Sequence, residues 1–215
     1  MTLVVGFDLD MTLLDTRAGI AATYRELTAR TGVPVDVDLV VNRLGPPLAV
    51  ELANWFPADE VDQAVALYRS LYPRYAITPA TPLPGAAGSI AAVRDAGGSV
   101  VVITSKHEPL ARLHLDHAGL AVHSLVGDVF AGGKAEALRD LGASVYVGDH
   151  VADMRAAVSA GASAVGVATG PCDAAALETA GAGVVLPDLE RFPRWWDRYR
   201  REAAGNPVGP PPHAD

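Results

Sequence analysis

The chain has 215 residues, half of them hydrophobic, with a formal net charge of −8 at neutral pH and a pI near 5.1. This length fits one large domain or a domain with an insert, and the composition can bury a substantial core. The acidic charge argues against a nucleic-acid partner bound through bulk electrostatics.

Cysteine content and the first residues bear on the cellular compartment. Cys172 is the only cysteine, so no disulfide can form within the chain. Asp8 and Asp10 interrupt the first apolar run, which is unlike a signal peptide. The uncharged stretch 156–172 is shorter than the roughly 20 apolar residues of a membrane-spanning helix. We therefore expect a cytoplasmic protein with no membrane partner, present as a monomer or homodimer.

The first predicted strand ends in two acids. Residues 3–7 are apolar and rich in β-branched side chains, which predicts a buried parallel strand. Asp8 and Asp10 follow, and then Thr12. The carboxyl ends of parallel strands are where open α/β sheets bind ligands, and two buried like charges require a cation or strong hydrogen bonds. The run predicts a divalent-metal site with a carboxylate nucleophile; an ordinary strand-to-turn junction is the alternative.

The next sixty residues have helical periodicity and no strand-like run. Thr16 is expected to cap the first helix, which ends at Gly32. The Pro-rich stretch 78–85 predicts an extended linker. Three further helices are predicted before it, over residues 36–44, 47–56 and 58–75.

After the linker, predicted strands and helices alternate. This alternation indicates an α/β fold with a doubly wound, mostly parallel sheet, that is, a Rossmann-like core. We expect that core to comprise residues 1–15 and 83–203, with residues 16–82 forming an all-helical cap over the carboxyl ends of the strands. The Pro-rich tail 204–215 is predicted to be disordered.

Two of the later segments carry a lysine, and the chain has only two lysines, Lys106 and Lys134, against fifteen arginines. The strand 100–103 ends in Thr104, Ser105 and Lys106, whose hydroxyls and amides suit phosphate oxygens, although an ordinary loop is equally possible. Lys134 begins a helix, where it opposes the helix dipole, so this position favours an anionic partner over a solvated helix start.

A second pair of acids ends another predicted strand. Asp149 follows the strand 144–147, and Asp153 lies one helical turn further on the same side. Helix capping explains either acid alone, but it does not explain both at a second strand end. The sequence therefore predicts that two strand ends contribute acids to one site.

Together these residues resemble the haloacid dehalogenase superfamily of phosphotransferases. Residues 7–12, Thr104, Lys134 and residues 148–153 match its four motifs in order, and the helical insert resembles the family's cap of the first type. Within the insert, the Arg-Leu-Gly-Pro-Pro-Leu run at 43–48 resembles phosphoglycolate phosphatases, though more weakly than the core motifs do.

The resemblance implies a catalytic role for four residues. Asp8 would attack a phosphoryl group and form an aspartyl phosphate, while Asp10 would act as general acid and base. Thr12 would orient Asp10, and Lys134 would offset charge on Asp8 and the transferring group. Met11 departs from the glycine that is commonest at its position in the family, which constrains the turn without removing a catalytic group.

The resemblance also implies a cofactor, Mg²⁺, and a small phosphorylated metabolite as substrate. The metal would be held by the Asp8 carboxylate, the Asp10 main-chain carbonyl and Asp149, with Asp153 supporting the site. The residues expected to contact the substrate are Thr104, Ser105 and Arg43.

Three activities are compatible with this pattern. The leading hypothesis is a Mg²⁺-dependent phosphatase similar to phosphoglycolate phosphatases, because Asp10 disfavours a dehalogenase and the absence of lysine from residues 16–82 disfavours a phosphonatase. A sugar-phosphate mutase on the same fold is the second. The third is a receiver-like phospho-aspartate signalling domain, which the helical insert opposes.

Overall fold

The computed structural model describes residues 3–205 of the chain. The tail predicted to be disordered covers residues 204–215, and residues 206–215 lie outside the described range. The strands in chain order are β1 (Val4–Phe7), β2 (Leu14–Asp15), β3 (Thr81–Pro82), β4 (Ser99–Ile103), β5 (Ser124–Val126), β6 (Ala143–Gly148), β7 (Ser163–Val167) and β8 (Val184–Leu186).

Helices connect these strands. The α-helices are α1 (Arg17–Thr31), α2 (Val37–Val41), α3 (Leu48–Leu52), α4 (Val61–Tyr75), α5 (Ala86–Asp95), α6 (Glu108–Ala118), α7 (Gly132–Asp140), α8 (Val151–Ala160), α9 (Ala174–Thr179) and α10 (Phe192–Ala203), with a 3₁₀ turn at Leu189–Arg191 before the last.

Six strands form one sheet in the order β5-β4-β1-β6-β7-β8, and every neighbouring pair is parallel. The central strand β1 pairs Phe7 with Val102 of β4 and with Val147 of β6. Chain order reverses at β1, and open α/β sheets bind ligands at such a switch point. The predicted doubly wound α/β fold is confirmed.

Apolar layers cover both faces of this sheet. On one face Phe7, Val100 and Val102 pack against the last helix, where the Phe192 ring lies 5.3 Å from the Phe7 ring. On the other face Val101, Ile103 and Tyr146 pack against α7 and α8. The sheet is therefore buried on both sides, as its continuous apolar strands require.

Residues 16–82, which we call the insert, contain helices α1 to α4 and have their own apolar cluster built around Tyr24, Leu27, Leu52 and Tyr72. The helices α2 and α3 are shorter than predicted. The stretch predicted as an extended linker contains β3, which pairs antiparallel with β2. Both ends of the insert thus leave the sheet through one short ribbon.

Within residues 3–205, no helix combines the length and the apolar character that crossing a bilayer demands.

The contact between α1 and α4 generates a prediction about stability. A Cβ at Gly19 would collide with the backbone of Ala76, just beyond α4. We expect Gly19→Ala to lower the free energy of unfolding by about 1–3 kcal/mol, because rigid backbone must move to accept the methyl group. Urea unfolding followed by circular dichroism measures the change.

The matched control is Gly88→Ala, since Gly88 lies in α5 and no heavy atom lies within 4 Å of the position that its Cβ would take. This variant should gain about 0.5–1 kcal/mol from reduced backbone entropy of the unfolded chain. Equal effects of the two substitutions would contradict a close α1–α4 contact.

Candidate active site

A buried ammonium joins the acids that the sequence places at separate strand ends. Asp8 follows β1, Asp149 follows β6, and Asp153 lies in the first turn of α8. Lys134 Nζ lies 2.7 Å from Asp8 Oδ1 and 2.6 Å from Asp153 Oδ1. These contacts bring residues that are far apart in the chain into one site, and all four side chains are buried.

Three carboxylates in this site have the chemistry of a cation site. Asp8, Asp149 and Asp153 each offer an oxygen within 4.8 Å of the others. Only one ammonium, that of Lys134, contacts this group among the described residues. Carboxylate oxygens are the ligands that Mg²⁺ prefers, and the residues therefore fit the predicted ion.

The pKa values of the acids reflect the same excess of negative charge. Burial, with added repulsion from Asp153, raises the pKa of Asp8 to about 7 in spite of Lys134. Burial and the charges of Asp8 and Asp153 raise the pKa of Asp149 well above its ordinary value. Burial alone would lower the pKa of Lys134, but Asp153 and Asp8 raise it. A bound cation would relieve this repulsion.

Local sequence around Asp153 and Asp149 explains how these acids fit. Asp153 Oδ2 accepts a hydrogen bond from the backbone N–H of His150 at 3.2 Å, and this bond caps the start of α8. The other oxygen, Oδ1, faces Lys134. A side chain at Gly148 would collide with Asp153, and one at Gly170 would collide with Asp149. Glycine at both positions therefore makes room for the carboxylates.

The two threonines of the first loop have partners that differ from the prediction. Thr12 does not orient Asp10; its hydroxyl donates to Asp149 Oδ1 at 2.7 Å. Thr16 does not cap α1 through its side chain; its hydroxyl donates to Asp10 Oδ1 at 2.5 Å. Met11 lies between Asp10 and Thr12 with φ 61°, a left-handed turn that redirects the chain after Asp10.

Lys106 is a residue of the site to which the sequence motifs assign no catalytic role. Its ammonium lies 3.0 Å from Asp10 Oδ1 and 2.7 Å from the Tyr72 hydroxyl of the insert. That hydroxyl lies 3.0 Å from His114 Nε2. Burial alone would raise the pKa of Asp10, but Lys106 and the Thr16 hydroxyl lower it. The scarcity of lysine in the sequence was the available signal.

A cavity of about 180 Å³ lies between the insert and the carboxyl ends of the strands. Of the predicted site residues, Thr12 and Thr104 are buried and do not line it. Those that do line it are Asp8, Asp10, Arg43, Ser105, Lys134, Asp149 and Asp153.

The residues predicted to contact the substrate form hydrogen bonds with other residues of this chain. The Ser105 hydroxyl donates to the Gly45 carbonyl of the insert at 2.9 Å. The Thr104 hydroxyl accepts from the Lys106 N–H at 3.2 Å. Arg43 forms two hydrogen bonds to Glu51, at 2.7 and 2.9 Å. Ser105 therefore fixes the insert to the loop after β4, and Arg43 is neutralised within the insert.

The fold and the site define a doubly wound α/β protein with acids and a lysine at its switch point under a helical insert. A family model described as haloacid dehalogenase-like hydrolase matches residues 5–158. The chain belongs to this family, as its motifs predicted. A haloacid dehalogenase-like family hydrolase from Streptococcus pneumoniae has the same fold, with a TM-score of 0.79, 21% identity, and coverage of 91% of this chain and 98% of that one.

Two relatives are similar in sequence. A phosphoglycolate phosphatase from Agrobacterium fabrum is 31% identical over 193 residues, which are 80% of this chain and 83% of that protein. The tyrosine-protein kinase PtkA from Mycobacterium tuberculosis is 33% identical over 137 residues, 63% of this chain. The chain spans 46% of the length of PtkA.

The acid cluster generates a prediction about metal binding. We expect Mg²⁺ to raise the melting temperature of the protein, because binding to the folded state at ten times Kd contributes about 1.4 kcal/mol. For a chain of this size that corresponds to about 3–6 °C. Asp149→Asn should abolish the shift, and differential scanning fluorimetry in EDTA and in Mg²⁺ measures it.

Two controls accompany this measurement. Sodium chloride at equal ionic strength tests for screening, and Asp116→Asn removes an exposed carboxylate on α6. A shift of equal size in Asp149→Asn would show that Mg²⁺ binds elsewhere.

Proposed function

We propose that the protein is a Mg²⁺-dependent phosphatase that hydrolyses a small phosphate monoester through an aspartyl phosphate on Asp8. The observation that carries the proposal is the buried Lys134 ammonium between Asp8 and Asp153, beside Asp149 and beneath a cavity. The name of the Agrobacterium fabrum relative, a phosphoglycolate phosphatase, supports it. The net charge of −8 supports a small metabolite over a nucleic acid as the substrate.

In the first step a carboxylate oxygen of Asp8 attacks phosphorus, and the bond from phosphorus to the alcohol oxygen breaks. Asp10 gives a proton to that oxygen. Lys134 holds the Asp8 carboxylate at 2.7 Å and offsets charge on it. Asp8, Asp149 and the Asp10 main-chain carbonyl would hold Mg²⁺, with Asp153 supporting the site, and the ion would supply positive charge for phosphoryl transfer.

In the second step water attacks phosphorus, and the bond from phosphorus to Asp8 breaks. Asp10 lines the cavity and takes the proton of this water, while the Thr16 hydroxyl and the Lys106 ammonium fix its Oδ1. Inorganic phosphate and free Asp8 result. Asp10 therefore moves one proton in each direction in a full cycle.

The loop after β4 is proposed to bind the phosphoryl oxygens through its backbone amides. Thr104 lies behind the cavity wall and braces this loop through the Lys106 N–H. Ser105 lines the cavity, and its hydroxyl donates to the insert. The insert is proposed to act as a cap domain that excludes water when it lies over the strand ends.

The central test is Asp8→Asn, which should lower the hydrolysis of an aryl phosphate at least about a thousandfold because the nucleophile is lost. Phosphate release is measured with Mg²⁺ present, and circular dichroism checks that the variant folds. The control is Asp116→Asn, which removes an exposed carboxylate that does not line the cavity.

The outcome also separates the alternatives. Phosphorus NMR that finds an isomeric phosphate ester in place of inorganic phosphate would identify a mutase. A long-lived aspartyl phosphate without turnover would identify a receiver-like domain. Activity of Asp8→Asn equal to that of the wild type would contradict the proposed nucleophile.

The hydrogen bonds from Thr12 to Asp149 and from Thr16 to Asp10 generate a separate prediction. Thr12→Val should raise the Mg²⁺ concentration for half-maximal activity by about 10–100-fold, because Thr12 holds Asp149. Thr16→Val should instead lower kcat by about tenfold or more, because it removes a hydrogen bond to the charged Asp10.

Steady-state kinetics with varied Mg²⁺ and varied substrate distinguish the two effects. Each variant is the control for the other, since both replace a buried hydroxyl by a methyl group in the segment between β1 and α1. If Thr16→Val changed the metal dependence and Thr12→Val did not, the assigned partners would be reversed.

A further inference from the structure

The charges that line the cavity are paired with one another. Four lysine and arginine side chains line it, and each forms an ion pair with a carboxylate that also lines it. The pairs are Arg43 with Glu51, Arg69 with Asp128, Lys106 with Asp10, and Lys134 with Asp8 and Asp153.

Arg43 is held in the insert by Glu51, whose two carboxylate oxygens both accept hydrogen bonds. Its Nε and Nη2 donate to the two oxygens of Glu51 at 2.9 and 2.7 Å, and the Trp55 indole N–H donates to the same carboxylate at 2.8 Å. Glu51 is buried, so its charge is poorly screened. An anion that approached Arg43 from the cavity would also meet Glu51.

Arg69 is held in a similar way across the boundary between insert and sheet. Its Nη2 donates to Asp128 at 2.9 Å. Asp128 lies after β5 and is itself fixed by His107 Nδ1 at 2.9 Å and by the Glu108 N–H at 3.1 Å. The Arg69 Nε is buried and has no hydrogen-bond partner within residues 3–205.

The cavity as a whole has too few cations for a second anionic group. Six carboxylates and four cationic side chains line it, a formal excess of two negative charges. A divalent cation would cancel that excess, and a bound phosphoryl dianion would restore it. A further carboxylate or phosphate on the substrate would then have no unpaired lysine or arginine to meet it.

Apart from Arg43, Glu51 and Arg69, the insert side of the cavity is largely apolar and aromatic. The Tyr24 and Tyr68 rings lie 4.7 Å apart, and neither hydroxyl hydrogen-bonds to a residue in the described part of the chain. Such hydroxyls can bond an uncharged hydroxyl or amide of a ligand. The insert residues of this wall include Ile20, Tyr24, Val40, Leu44, Leu48 and Tyr68.

From these observations we infer that the phosphate ester accepted here carries an uncharged alcohol, and that esters with a second anionic group are rejected. The inference rests on the proposed phosphatase activity and specifies its substrate class. The cavity volume of about 180 Å³ restricts the ester to a small alcohol, since a 150 Å³ apolar cavity holds about one benzene ring.

A pair of matched substrates tests the inference on the wild-type protein. Phosphoglycolate and its neutral amide have the same heavy-atom skeleton and differ by one negative charge. We expect kcat/KM for the amide to exceed that for phosphoglycolate at least about tenfold, because a desolvated like charge is unfavourable. An aryl phosphate measured in parallel reports whether the phosphatase activity itself is present.

A pair of matched variants tests the cause. Glu51→Gln removes the charge that neutralises Arg43 and should raise the phosphoglycolate-to-amide ratio of kcat/KM at least about fivefold. Glu26→Gln is the control, because it likewise frees an arginine, Arg30, from a 2.7 Å ion pair, but on the exposed face of α1. This control should leave the ratio unchanged.

The outcomes separate the two proposals. Hydrolysis of the aryl phosphate together with equal or better use of phosphoglycolate would overturn the uncharged alcohol and leave the phosphatase intact. No hydrolysis of any of the three esters would overturn the phosphatase and the inference with it. If Glu51→Gln fails to fold, the wild-type ratio alone still decides the question.

Discussion

The site depends on one buried ammonium. Lys134 lies between Asp8 and Asp153, and without it two carboxylates would share a desolvated space with Asp149. Removing one partner of a buried pair typically costs about 3–5 kcal/mol because an uncompensated charge remains. The start of α7 must therefore lie against the start of α8 and the end of β1. The same charge balance that locates these elements leaves a position for a divalent cation.

The two lysines of the chain organise two different carboxylates. Lys134 fixes Asp8, while Lys106 fixes Asp10 and also contacts Tyr72 of the insert. Asp8, which we propose as the nucleophile, is thus held by a lysine of the sheet part of the protein. Asp10, the proposed acid–base residue, also accepts a hydrogen bond from Thr16 of the insert, so in our proposal the position of the insert affects proton transfer more directly than nucleophilic attack.

The acid cluster and the apolar wall of the cavity belong to different parts of the molecule. Asp8, Asp149, Asp153 and Lys134 lie at strand ends and helix starts. The wall that would meet the alcohol in our proposal is built from the insert. There Arg43 is neutralised by Glu51, and the Tyr24 and Tyr68 hydroxyls have no hydrogen-bond partner among residues 3–205. A fold of this kind fixes a chemistry without fixing the substrate, because the substrate contacts are made by other residues.

The sequence by itself determined the doubly wound sheet and the convergence of Asp8, Asp149 and Lys134. Strand and helix periodicities define that sheet, and the carboxyl ends of parallel strands necessarily share an edge. Only the tertiary structure decided which hydroxyl meets which acid, and that Lys106 contacts both Asp10 and Tyr72. Those contacts depend on a left-handed turn at Met11 and on the docking of the insert, which are three-dimensional properties that no residue spacing encodes.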